Sequence, residues 1–483
     1  MDKTPLYYQT ITALAQSIRT GELSPVELTE RYLSRIESLD DKLNVFRLVC
    51  PERALAEART AEIALRSGQD LGPLHGIPYA AKDLYDVKGL PTTAGTRLLE
   101  KNIAVKDAYV IRKLAQAGMV LVGKTNTVQF AYSGVGINHD HGTPQNPWHQ
   151  DHHVPGGSSS GSAVAVAAGL APMALGSDTG GSVRIPASLC GTVGLKSTVG
   201  RISRAGVYPL SWSLDSVGPL TRSVEDAALI YQCLQGHDFN DETTWGLHPQ
   251  DVLKGLKRGV RGLRLAFAET VFWDDTDPEV ERAVRECGRV FEELGAPVKS
   301  IEFPEAREAL QLNSQGLIIV AEAYTLNKKW LEDHFDQLDP VVAYRMIRGK
   351  EVSAGDYLQN VLEWKRLRIE ASDSLRDVDV LLVPATAITA LPVAEVDKNE
   401  DVYSQTNLSY LRNTSIGNIL NLCGLALPCG FTKQGLPIGL MLYGKSFQED
   451  LVLRAGYAFQ QATDWHRRTP DLSWVGDQIR DEG

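Results

Sequence analysis

The passage that most restricts what this chain can fold into runs from residue 155 to 196, PGGSSSGSAVAVAAGLAPMALGSDTGGSVRIPASLCGTVGLK. Two glycine–serine loops stand on either side of an alanine-rich segment that can form a tightly packed helix. Glycine pairs let the backbone take positive φ and approach a ligand closely, and successive N–H groups in such a turn form a concavity suited to negative charge. Thr179, Gly180, Gly181 and Ser182 therefore read as an oxyanion hole with the serine hydroxyl at its edge.

Other readings of the same letters make different demands. A phosphate loop matches the glycine spacing from Gly156 to Gly161, but Ser162 stands where that motif needs lysine. A nucleophile elbow, Gly157-Ser158-Ser159-Ser160-Gly161, would nominate Ser159 and require a downstream histidine such as His237, His248, His334 or His466. The bland reading makes both loops plain turns between packed elements. A lysine upstream weighs against it: in Gly76-Ile77-Pro78-Tyr79-Ala80-Ala81-Lys82-Asp83 an apolar, strand-like approach can carry the amine of Lys82 inside, where burial lowers its pKa and makes it a usable base.

Taken together, GIPYAAKD, GGSSSGSA and GSDTGGSVRIPA resemble the signature of the amidase signature family. Further similarity covers AGMVLVGKTNTVQFA, NPW at 146–148, the stretch CGTVGLKSTVGRISRAGVYPLSWSLDSVGPLTRSVEDAA, and LPCGFTKQGLPIGLML. It is dense over about residues 70–235 and 415–460. The resemblance implies Lys82 as base, Ser158 as bridging serine behind a cis Gly157-Ser158 bond, and Ser182 as nucleophile. Asp178 and Arg184 would pair to hold the nucleophile turn, with Gly157 in support. Tyr132, Ser133 and Gly134 would line the substrate site, and Ile185 would lie near the acyl pocket. The chemistry is acyl transfer: a serine hydroxyl at its free pKa needs a base, and that base must later protonate the departing amine. It requires no cofactor and no metal.

The fold expected from this resemblance is α/β, a large mixed twisted sheet sandwiched between helices on both faces. Local patterns agree. Strand candidates at 120–122, 263–267, 298–303 and 380–383 alternate with helical patterns at 109–117, 278–294 and 353–375. Ser24-Pro25-Val26-Glu27 reads as a capping box opening a helix through about Ile36. Without a low-complexity linker or repeat, residues 1–483 read as a single domain. It comprises an N-terminal helical part (1–70), the signature core (70–235) and a peripheral helical, substrate-shaping part (305–375).

Composition narrows the class. A chain of 483 residues with 43% hydrophobic and 23% charged positions is that of a soluble globular protein. A formal charge of −11, with no run of lysine and arginine, argues against direct nucleic-acid contact. The six cysteines, without a CxxC pair, read as reduced thiols, and no stretch suits a signal peptide or a membrane span. A cytoplasmic location follows as the default, with a small-molecule amide as partner and a homodimer left open. His139, His141, His149, His152 and His153 read as solvated or pocket-rim residues rather than metal ligands. Arg412 is open to two readings, a substrate carboxylate clamp or a surface charge.

The function expected is an amidohydrolase cutting a linear carboxamide, carbamate or urea-type C–N bond, in one of two settings. A freestanding amidase is favoured because Ile185 replaces the polar residue expected for a glutamine side chain and 335–375 reads as a generic amidase. The alternative, resting on 119–230, is the glutaminase subunit of an aminoacyl-tRNA amidotransferase complex. An inactive scaffold is disfavoured by retention of Lys82, Ser158 and Ser182.

Overall fold

The computed structural model describes residues 4–314 and 317–476; residues 1–3, 315–316 and 477–483, which include both ends of the expected domain, lie outside the described residues. Eleven strands form one sheet: β1 (Phe46–Val49), β2 (Pro78–Lys82), β3 (Val120–Thr125), β4 (Met173–Asp178), β5 (Val193–Lys196), β6 (Ser216–Thr221), β7 (Leu265–Ala268), β8 (Val298–Ile301), β9 (Val380–Pro384), β10 (Cys423–Phe431) and β11 (Pro437–Gly444). Their spatial order is β1-β3-β2-β4-β6-β5-β10-β11-β9-β7-β8. The sheet is mixed: β2 runs parallel to β3 and β4, and β7 parallel to β8 and β9, while the central strands from β4 through β11 pair antiparallel.

Side chains of a strand alternate between its faces, and here both faces are covered. Met173 and Leu175 of β4, Leu425 and Leu427 of β10, and Leu440 and Leu442 of β11 join one apolar cluster. Their neighbours Ala174, Ala426 and Met441 join the other. Helices Val224–Leu234, Pro278–Glu293 and Glu449–Ala462 cover the first face, and Ser160–Ala167 and Arg184–Cys190 lie on the second.

The capping box opens its helix as the pattern predicts, with Ser24 Oγ accepting from Glu27 N at 3.0 Å, but the helix runs on to Leu43. Six strands, β1, β4, β5, β6, β10 and β11, are not singled out by the sequence patterns, and two of them show why. β1 lies within the stretch read as helical and completes the sheet edge against β3. β4 occupies the second half of the alanine-rich segment. The helix there stops at Ala167, and Pro172 leads into a strand buried along its whole length. A fully buried strand shows no alternation of polarity, so periodicity cannot separate it from a buried helix.

Helices Pro304–Ser314, Leu317–Asp333, Pro340–Ile347 and Ala354–Ser374 make up the peripheral part. Tyr324, Leu331, Val342 and Met346 share a small core with Leu84, Phe130, Tyr132 and Leu210, which seats the middle two helices over the end of β2, while Ala306, Ala309, Trp364 and Leu367 of the other two join the second-face cluster. All six cysteines are free, and five are buried. Among the described residues no helix is long and apolar enough to cross a membrane.

Candidate active site

β2, every residue of it buried, carries Lys82 into the interior. There its Nζ meets three hydroxyls, Ser158 Oγ at 2.7 Å, Ser177 Oγ at 2.9 Å and Ser159 Oγ at 3.1 Å. Burial lowers the amine's pKa to about 7, while the nearby carboxylates of Asp178 and Asp215 pull it back upward. An amine in that range is substantially neutral at physiological pH and can accept a proton.

Ser158 follows a cis peptide bond to Gly157. Gly157 N donates to Gly134 O at 2.8 Å, and a side chain at 157 would run into the Gly136 backbone at 2.7 Å and the Ser133 carbonyl at 2.9 Å. Glycine is therefore the only residue this packing admits there.

Ser182 lines a cavity of about 690 Å³ together with Thr179 and Gly180. Gly181 takes φ 141°, open to glycine alone, and its carbonyl accepts from Ile185 N at 2.7 Å. Among the described residues no protein acceptor takes the N–H of Gly180, Gly181 or Ser182. These donors at the cavity floor suit a developing oxyanion.

The turn is held from below by Asp178 and Arg184, both with fully buried side chains. Arg184 Nε and Nη2 donate to the two carboxylate oxygens at 3.0 and 2.9 Å, Val183 N adds a bond at 3.1 Å, and Asn418 Nδ2 another at 2.8 Å. Burial alone would raise the Asp178 pKa, but Arg184 and these donors hold it at about 2.

Ser158 and Ser182 are neighbours without a hydroxyl-to-hydroxyl hydrogen bond among the described residues; the loops are stitched instead by Ser159 N donating to Ser182 O at 3.2 Å. A proton relay would require a rotation about the serine side-chain bonds, as catalytic hydrogen bonds often tighten only with substrate present. Ser159 is bonded to Lys82 and to Ser177 O, and none of His237, His248, His334 or His466 bonds to it.

Tyr132, Ser133 and Gly134 line the cavity, and Asn407 fixes two of them, accepting from Gly134 N at 2.7 Å and Ser133 Oγ at 3.1 Å. Ile185 does not line it. Its side chain is wholly buried behind the wall, where side chains at Gly134 or Gly181 would strike it. Arg412 reaches the cavity rim, but its guanidinium donates to the carbonyls of Phe272 and Asp274, so it ties down a loop. His139 bridges Asp339 at 2.7 Å and Asp397 at 3.1 Å, and its pKa is raised to about 9 by the Asp339 hydrogen bond first, against its partial burial.

Four residues at this site are assigned no role by the sequence patterns above. Ser177 was readable, being the serine before Asp178 in the second loop. Asp215, Arg345 and Asn407 come from distant segments, and no local pattern singles them out. Arg345 sits with its guanidinium 4.6 Å from the centre of the Tyr132 ring, lines the cavity, and keeps its Nη1 without a hydrogen-bond partner.

The chain is similar to known proteins along nearly its whole length. The A subunit of glutamyl-tRNA(Gln) amidotransferase from Gloeobacter violaceus is 38% identical over 487 residues, covering 96% of this chain and 98% of that protein. A solved chain from a vestigial protein complex bearing on the evolutionary origins of an s-triazine catabolic enzyme superposes with a TM-score of 0.87 at 33% identity, covering 94% and 98% of the two chains. The peptide amidase of Stenotrophomonas maltophilia superposes with a TM-score of 0.82 at 30% identity, covering 97% and 99%.

These relatives correct the partners expected from charge. The expectation of no direct nucleic acid and of no protein partner beyond a possible second copy does not stand, because relatives aligned over nearly the whole chain are subunits of an enzyme named for tRNA. Net charge averages over an entire surface and is silent about what other members of an assembly hold.

The family model for amidases matches residues 27–453, and with these relatives it shows that the chain belongs to the amidase signature family, an amidohydrolase acting on amide C–N bonds.

Proposed function

We propose that the chain hydrolyses a carboxamide through an acyl-enzyme on Ser182. Neutral Lys82 takes the proton of Ser158, Ser158 takes that of Ser182, and Ser182 Oγ adds to the carbonyl carbon. The N–H groups of Thr179, Gly180, Gly181 and Ser182 receive the oxyanion. Collapse breaks the C–N bond, the proton returns through Ser158 to the departing amine, and water then releases the acid. The observation that carries the reading is the Lys82 amine, wholly buried, 2.7 Å from Ser158 and with its pKa near 7.

Because the base must be neutral, kcat/KM is expected to rise with pH through about 7 and level off above it. Ser182→Ala is expected to abolish turnover. A wild-type rate independent of pH between 5 and 9, or full activity in Ser182→Ala, would remove Lys82 and Ser182 from these roles.

Of the two settings, the glutaminase member of an aminoacyl-tRNA amidotransferase has the better support, because the A subunits of that enzyme align along nearly the whole chain. The cavity adds to it: Arg345 and Arg348 offer cations for an α-carboxylate, and Asp275 and Glu400 offer anions for an α-ammonium. A freestanding amidase is favoured by one observation, the roomy cavity walled by Leu210, Leu214, Ile319 and Leu411, which suits a bulkier apolar acyl group. Ammonia release from glutamine, compared with aryl, alkyl and dipeptide amides, separates the two. Turnover of glutamine alone supports the amidotransferase setting, and turnover of the others without glutamine supports the freestanding enzyme.

A further inference from the structure

Asp215 has no part in the proton transfers above, yet it is buried at the edge of the nucleophile turn. β4 ends at Asp178 and β6 begins at Ser216, and these two residues face each other across the antiparallel pair. Thr179 and Asp215 are thus the first residues beyond the paired strands, on the side where the cavity lies. Asp215 Oδ1 accepts from Thr179 Oγ1 at 2.6 Å. Its Oδ2 accepts from Leu210 N at 2.9 Å and Ser211 N at 3.0 Å. All three contacts are donors, so this position calls for a carboxylate and not a carboxylic acid.

The loop so gathered supplies Leu210 and Leu214 to the same cavity that Thr179, Gly180 and Ser182 line. On its other side it is gripped by Glu322, which accepts from Ser211 Oγ, Ser213 N and Ser213 Oγ. The nucleophile turn therefore has two anchors. Asp178 closes it by accepting from Val183 N and Arg184 at its far end, and beside Asp178 at the near end Thr179 is tied to the cavity wall.

We propose that Asp215 is a positioning residue: its buried carboxylate holds the Thr179 side chain against the 210–214 loop and thereby aims the Thr179 to Ser182 amides at the developing oxyanion. This rests on Ser182 as the nucleophile. The Asp215 carboxylate has a second effect, because it is one of two negative charges favouring the ammonium form of Lys82.

The test uses the full chain and whichever amide the wild type turns over. Thr179→Val removes the hydroxyl and keeps the branched shape, Thr179→Ser restores a hydroxyl, and Asp215→Asn removes the charge. Thr179→Val is expected to lower kcat by roughly ten- to a hundredfold with little change in KM, as a misaimed catalytic group does. Thr179→Ser recovers most of the rate. Asp215→Asn lowers kcat as well and moves the acid limb of the pH profile to lower pH, whereas Thr179→Val leaves that limb in place. The double variant loses no more than the greater single loss, because both break one contact. Circular dichroism and the thermal midpoint report on folding, and if Asp215→Asn does not fold the two Thr179 variants carry the test. Wild-type kcat in folded Thr179→Val, or additive losses in the double variant, overturns the proposal. Full activity in Ser182→Ala would instead overturn the nucleophile assignment on which it rests.

Discussion

On the floor of the cavity, Lys82, Asp178 and Arg184 hold their ionisable groups wholly out of solvent, each satisfied by named partners. On the outer side of the peripheral helices, Ala354–Ser374 leaves Leu358, Leu362 and Ile369 exposed at 56, 59 and 72%. The neighbouring Arg366 answers Glu308, Glu363 and Glu370 in open solvent. The floor is a buried polar network in which each group depends on the others, and removing one leaves another uncompensated. The cavity wall and this outer helix belong to a layer of helices seated on apolar clusters, where a surface charge can be lost without stranding its partner. Chemistry is expected to tolerate almost no change on the floor, while recognition is read from the wall.

Lys82→Ala should break that contrast most visibly. Loss of the base is expected to reduce kcat/KM roughly ten-thousandfold or more, measured as amide turnover at pH 8. Retention of activity would show that the floor is not where the proton goes. Next in size is Arg184→Ala, which strands the Asp178 carboxylate in the interior. Stability is expected to fall by about 3–5 kcal/mol in denaturant unfolding. A loss no larger than that of a surface substitution would mean that Asn418 and Val183 alone satisfy Asp178.

Arg345→Met tests the wall. For an amide bearing a carboxylate, KM is expected to rise roughly ten- to a hundredfold with kcat nearly kept, the size of one hydrogen bond to a charged group. An equal effect on an uncharged amide would assign Arg345 to holding Tyr132 rather than substrate. The smallest effect belongs to Arg366→Ala. Its ion pairs are exposed, and no resolvable change in thermal midpoint or turnover is expected.

Several features were legible in the residues alone. Every loop that reaches the floor has a dense local signature, since Gly157, Gly181 and Ser182 must satisfy tight backbone geometry and leave few alternatives. Mixed α/β architecture was legible in the same way, from apolar runs of strand length between amphipathic helices. The strand hidden in the alanine-rich segment was not, because burial on both sides erases the alternation by which strands are recognised. Nor was the place of Ile185, which lies behind the wall instead of in it.

What the sequence by itself determined is the pair of glycine–serine loops and the apolar strand leading to Lys82, from which the reacting groups are proposed, because short-range stereochemistry allows few residues at those turns. Only the tertiary structure decided that Asp215 reaches the nucleophile turn and that Arg345 and Asn407 reach the cavity Ser182 lines, from positions 33 to 225 residues away from Ser182 (215 − 182 and 407 − 182). It also decided that the Lys82 strand lies deep enough for its amine to lose its proton. Long-range contacts and desolvation are properties of the packed sheet and its covering helices, and no local run of residues encodes them.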